Sequence, residues 1–100
     1  MEKRVAHYSL DALKDIVSTT GVAAFTRLAL REIDVMGLTF AEAASVVRGL
    51  QRGMLHKSMT SHADHRVWQD VYHAPCPNGR TAYIKMTLQD GAVVIQFKEK

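Results

Sequence analysis

The sequence predicts an α+β domain in which N-terminal helices pack on a C-terminal antiparallel sheet. Apolar residues recur at helical spacing from residue 9 to 52, and the recurrence changes to every second residue after Gly53. Asp90-Gly91 then separates two such alternating segments. Helices in one run and strands in the next place the helices over one face of the sheet and leave the other face to solvent.

The helical half divides at three start signals. Ser9 can cap a helix with Leu10, Leu13, Ile16 and Val17 on one face, and Gly21 supplies a left-handed stop. Thr26 opens a second helix with Ala29, Ile33 and Met36 on one stripe, closed by Gly37. Thr39 and Glu42 have the spacing of a capping box, in which each side chain satisfies the other residue's orphan N–H. Phe40, Ala43, Val47 and Leu50 then form the buried side of a third helix ending near Gln51 to Gly53.

Four strands are expected near 54–60, 66–73, 81–89 and 92–98, joined as a meander. Asp90-Gly91 tolerates the positive φ angles of a two-residue type I′ turn and is the strongest local signal in the chain. Before it, Ile84, Met86 and Leu88 point one way while Tyr83, Lys85 and Thr87 point the other. After it, Val93, Ile95 and Phe97 turn inward. Pro77-Asn78-Gly79 marks the preceding turn, and Trp68, alternating with Gln69, is expected to point into the core against the helices.

A chain of 100 residues supports one hydrophobic core, so residues 1–100 read as a single domain. With 47% hydrophobic and 23% charged residues, neither a disordered tail nor a membrane protein is indicated. Apolar runs are too short for an export signal or a membrane span, so a cytoplasmic location is expected. Cys76 stands alone: it allows no internal disulfide and no multi-thiolate zinc site, and reads as a loop thiol in a reducing compartment. The net charge of +3 suits a polyanionic partner without requiring one, so the distribution of charge must decide.

On the open face, Lys57 and Met59 project to the same side, and aligned registers would bring Gln69, Tyr83, Lys85 and Lys98 beside them. Such a set suits a phosphodiester. Lysine stabilises charge on a phosphorane-like transition state, a glutamine amide donates to a nonbridging oxygen, and tyrosine stacks on a base or moves a proton. Met59 offers a polarizable contact to a base. Taken singly, though, a lysine on an exposed strand face is more often solvation and edge protection.

Histidine is the usual acid–base group of metal-independent nucleases. His62 and His65 fall in a polar connection without a Cys pair or acidic cluster nearby, so no metal site is expected and no cofactor is called for. His7, His56 and His73 lie scattered along the chain, with His56 and His65 near enough to the candidate face to serve as reserve acid–base groups. Walker, dinucleotide-binding and Gly-x-Ser-x-Gly motifs are absent, which leaves nucleotide hydrolysis, redox and serine-hydrolase chemistry without support.

An ordered set of motifs then resembles a known family. Met1-Glu2-Lys3-Arg4, Lys57-Ser58-Met59-Thr60, Asp64-His65, Trp68-Gln69-Asp70-Val71-Tyr72, Tyr83-Ile84-Lys85 and Phe97-Lys98-Glu99-Lys100 resemble the MqsR-type mRNA interferase toxins over nearly the whole chain. The resemblance implies a RelE-like fold, metal-independent and ribosome-independent cleavage of single-stranded mRNA at GCU-type sites, and no membrane association. It also implies inhibition by a zinc-binding, DNA-binding antitoxin, with DNA reached only through that complex. Carried over by position, it makes Lys57, Gln69 and Tyr83 catalytic and places Met59 and Lys98 in the RNA site. His56 and Lys85 join the RNA contacts by their place near or on the open face. His56 departs from the family, which commonly has an aromatic residue there, and the 74–77 segment is also distinctive. The competing reading is a noncatalytic nucleic-acid-binding or protein-interaction module using the same basic face.

Overall fold

A computed structural model describes residues 1–100 and has the expected α+β architecture. Helices α1 (Leu10–Thr20), α2 (Arg27–Val35) and α3 (Phe40–Arg48) precede strands β2 (Leu55–Thr60), β3 (Trp68–Pro75), β4 (Thr81–Gln89) and β5 (Ala92–Glu99). A strand that the periodicity did not reveal, β1 (Glu2–Lys3), pairs with β2, so the antiparallel sheet is five-stranded in the order β1-β2-β3-β4-β5. Two residues are too short for any period to register.

The helix boundaries follow the capping chemistry. Ser9 Oγ accepts from Ala12 N, and α1 stops at Gly21 with φ 64°. Thr26 caps α2 through Ala29 N, and both bonds of the Thr39/Glu42 capping box are formed, at 2.9 and 3.1 Å. Arg52–Met54 makes a short 3-10 turn into the sheet. Leu10, Leu13, Val17, Ala29, Ile33, Ala43, Val47 and Leu50 are buried, while Ile16 and Phe40 are only partly covered.

From the sheet, Tyr72, Ile84, Met86, Val93, Ile95 and Phe97 meet the helices. Each fully buried side chain of this size contributes about 1.5–3 kcal/mol by leaving water. α2 lies against β5: Phe25, just before α2, forms a parallel bridge to Ile95, and Thr26 N donates to Ile95 O at 3.1 Å. This covers part of an otherwise open strand edge.

The β4–β5 turn is as expected, with φ 53° at Asp90 and 78° at Gly91. β3 lies two residues later than expected at each end. Asp64 accepts from Arg66 N at 2.9 Å and its backbone oxygen from Val67 N at 3.1 Å, which holds 64–67 in a turn. At the far end Ala74 and Pro75 still pair with Ala82 and Thr81, so half of the expected 74–77 loop is strand. Cys76 is buried at the start of the following turn, and burial pushes its thiol pKa up.

Trp68 requires a correction. Its register puts it on the helix side of the sheet, but no helix covers it. It is only partly buried, stacked on His7 with ring centroids 5.2 Å apart and capped by Lys3 Nζ at 4.2 Å. The segment after β1 does the covering, and that segment has no periodicity to announce it.

Candidate active site

The face turned away from the helices is organised in cross-strand rows. Glu2, Met59 and Gln69 form one row, through the pairs Glu2–Met59 and Met59–Gln69. Lys57, Val71, Lys85 and Gln96 form the next. His73, Tyr83 and Lys98 form the third. Directly opposite neighbours within a row have Cβ atoms about 4.5–5.5 Å apart and diagonal neighbours in adjacent rows about 7–8 Å, within reach of long and aromatic side chains.

His56 joins this face through a β-bulge. Leu55 pairs with Tyr72 and Lys57 with Val71, which leaves His56 as the extra residue. Strict alternation would turn it away from Lys57. Instead its ring stacks on His73, with centroids 4.3 Å apart and planes 20° from parallel. His73 lies 5.7 Å from the Tyr83 ring, and Lys98 Nζ sits 5.0 Å over that ring in cation–π contact. The two histidines that seemed scattered in sequence thus continue one row of the face, whereas His62 and His65 are exposed in the β2–β3 connection and stand in none of the rows.

Charge on the face is concentrated and partly desolvated. Val71 is 0% exposed although it faces away from the helices, so the methylene stems around it, Lys57 and Lys85 flanking it directly, close over it. Burial, followed by the nearby Lys98 charge, lowers the Lys85 pKa. Burial, then His56 and Lys100, lowers that of His73 and favours its neutral imidazole. Lys57, 23% exposed in its side chain, donates to Glu2 Oε1 at 2.7 Å. The hydrogen bond and charge of Lys57 hold the Glu2 carboxyl below its usual range.

A buried carboxylate on the opposite face fixes this arrangement. Asp70 is 0% exposed and accepts from Ser58 Oγ at 2.6 Å, Tyr8 N at 2.9 Å and His7 N at 3.0 Å. It locks β2 to β3 and ties down the segment following β1, which carries Glu2. Tyr8 Oη continues the network to Trp68 O at 2.9 Å.

The seven residues assigned to the site from sequence, Lys57, Gln69, Tyr83, Met59, His56, Lys85 and Lys98, therefore lie on this one face, whereas His65, expected as a reserve acid–base group, lies in the β2–β3 connection outside the rows. Glu2, His73 and Gln96 also belong to it, and sequence reasoning did not single them out as site residues. For His73 and Gln96 the alternation of their strands was an available signal; for Glu2 only the pairing of β1 reveals it.

Cationic, amide and aromatic groups on an open sheet define a protein suited to holding a phosphate-linked polyanion. The family model described as "Motility quorum-sensing regulator, toxin of MqsA" matches residues 5–99. A relative from Escherichia coli (strain K12), "mRNA interferase toxin MqsR", is 39% identical over 100 residues, covering the whole of both chains. The chain belongs to the MqsR toxin family.

Proposed function

We propose that this toxin is an endoribonuclease that cleaves single-stranded mRNA on the open sheet face. The observation that carries the reading is the register, which gathers Lys57, Gln69 and Tyr83 from three successive strands onto one side of the sheet. Membership in a family with an mRNA interferase supplies the substrate class.

The RNA backbone lies across the rows, and a ribose 2′-oxygen attacks the adjacent phosphorus. The 2′-O–P bond forms, the P–O5′ bond breaks, the 2′-hydroxyl proton is removed and a proton is delivered to O5′. Products are a 2′,3′-cyclic phosphate and a free 5′-hydroxyl. Lys57 stabilises charge on the phosphorane or activates the nucleophile, Gln69 orients the phosphate through its amide, and Tyr83 contacts a base or transfers a proton. Met59, His56, Lys85 and Lys98 hold the strand. The nucleophile belongs to the substrate and the stabilising charge to lysine, so this route needs no metal or cofactor.

Cleavage at GCU-type sites without a ribosome, and inhibition by a zinc-binding, DNA-binding antitoxin in the cytoplasm, complete the proposal on family grounds. DNA is reached only through the antitoxin complex. No helix is long and apolar enough to cross a membrane. Incubating the purified protein with a long RNA in excess chelator tests the activity. Discrete new ends bearing cyclic phosphate are expected. Intact RNA with a mobility shift would establish the noncatalytic binder instead, since both readings share the salt-sensitive affinity.

A further inference from the structure

Exchanging the P–O5′ bond for a P–O2′ bond requires one group that takes a proton and one that gives it. The rows supply lysines and a phenol, types that ordinarily titrate at about 10, and one carboxylate, Glu2, which is bound to Lys57. Imidazole is the side chain present in both forms near neutrality. His62 and His65 are outside the rows, and His7 is stacked on Trp68 with its Nδ1 3.0 Å from Lys3 Nζ. His56 and His73 remain.

Of these two, His73 is set among the site residues. It pairs with Tyr83 on β4, and its partly buried ring lies between that of His56, at 4.3 Å, and that of Tyr83, at 5.7 Å. Val71 stands directly between Lys57 and Lys85, so a phosphate held by the two lysines has Gln69 two residues to one side and His73 two residues to the other. Two residues along a strand span roughly 7 Å. An amide on one flank can only orient the phosphate, whereas an imidazole on the other can accept a proton.

We infer that His73 is the general base that takes the 2′-hydroxyl proton, with His56 as the residue that positions its ring. This deepens the ribonuclease reading and rests on it. The imidazole lone pair takes the proton as the 2′-oxygen bonds to phosphorus, the P–O5′ bond breaks, and O5′ takes a proton from the Tyr83 hydroxyl in the same row. Exchange with water then removes the proton from His73 and restores the one given by Tyr83. Lys57 and Lys85 hold the charge on the phosphorane.

The surroundings keep this ring in the form a base needs. Arg4 reaches the His56 carbonyl at 3.3 Å, Lys57 follows His56 on β2, Lys85 stands in the adjacent row, Lys98 lies over Tyr83, and Lys100 follows on β5. The carboxylates of the face are elsewhere: Glu2 is on Lys57, and Glu32 lines the groove beyond Tyr83. Two imidazolium rings at 4.3 Å would repel, so the stacked pair titrates as a unit that resists a second proton. Burial, then the charges of His56 and Lys100, favours the neutral form of His73.

The test is the single-turnover cleavage rate of a long RNA at saturating protein, in excess chelator, between about pH 5 and pH 8, the range in which imidazole titrates. The wild-type log rate is expected to rise by about one per pH unit on the acid side and then level off. His73→Gln should lower the plateau by about 100- to 10,000-fold and abolish the acid limb. His73→Ala should recover rate with added imidazole, in proportion to its neutral form. His56→Phe retains a stacked ring but removes the neighbouring charge, so its limb should move to higher pH. A wild-type rate flat across the range, a His73→Gln protein that keeps both rate and limb, or an unmoved limb in His56→Phe overturns the inference. The wild-type profile and the His56→Phe shift stand even if the His73 variants fail to fold. RNA left uncut by wild type at every pH would sink the ribonuclease reading itself, whereas cleavage without an acid limb would sink only the role of His73.

Discussion

Glu2 and Lys57 meet at 2.7 Å, so the lysine at the centre of the proposed site is already partnered by a carboxylate from β1 before RNA arrives. The pair sits at the β1 edge of the sheet, its geometry set by Glu2 lying opposite Met59. An incoming phosphate must displace or share this partner.

Glu2→Gln should therefore strengthen RNA binding. Freeing one cation adds one phosphate contact, which steepens the dependence of log affinity on log salt by about 0.7 for single-stranded nucleic acid. Titrations of a labelled, uncleavable RNA across a salt series read both quantities. Unchanged affinity together with an unchanged slope would mean that Lys57 does not engage phosphate.

Asp70 holds the site from beneath. Asp70→Ala would take the acceptor from the part-buried His7 and Tyr8 amides and leave the buried Ser58 hydroxyl only Gln69 O at 3.4 Å, and a buried donor left unpaired costs about 1–3 kcal/mol. A loss of at least 3 kcal/mol is expected in urea denaturation. Ser58→Ala leaves the carboxylate its two backbone donors and should cost less, about 1.5 kcal/mol, the low end for a hydrogen bond to a charged group. Equal losses in the two variants would show that the network is not centred on Asp70.

Tyr72 makes stability fall in alkali. Burial, reinforced by the Asp70 charge, pushes its pKa from 10.0 up to about 12. As pH rises above the ordinary value, the unfolded chain loses the phenolic proton first, so the native state binds more protons and its stability declines through that window. The full loss is roughly 3 kcal/mol, at 1.36 kcal/mol per pH unit. Lys85 acts in the opposite sense, since its lowered pKa lets the unfolded chain bind the extra proton, but it is common to both proteins in the comparison. Tyr72→Phe should lose less stability than wild type between about pH 9 and pH 11 in urea midpoints. Parallel losses would contradict the assignment.

What could be read from sequence was local. The Thr39/Glu42 box, the Asp90-Gly91 turn and the alternation of β5 and of β4 up to Met86 each depend on residues a few positions apart, and each stands as expected. At Thr87, expected on the open side, the alternation lapses: its side chain is buried and donates to Trp68 O at 2.7 Å. What escaped depends on distant pairing. β1 has two residues and is defined by β2. The bulge that turns His56 onto the working face exists only relative to Tyr72 and Val71. Asp70 sits in an apolar stretch as a buried carboxylate, and only the folded chain supplies the donors from Ser58, His7 and Tyr8 that make it tolerable. Trp68 had the predicted face but a different cover, because residues 3 and 7 return to it.

The account turns on Lys57, Gln69 and Tyr83 acting together across their strands, and the measurement that tests it most directly is the RNA cleavage rate of Lys57→Ala, Gln69→Ala and Tyr83→Phe proteins whose folding is verified by circular dichroism. Loss of a preorganised donor is expected to slow cleavage about 100- to 1,000-fold in each. Wild-type rates in all three folded proteins would place the chemistry elsewhere on the molecule.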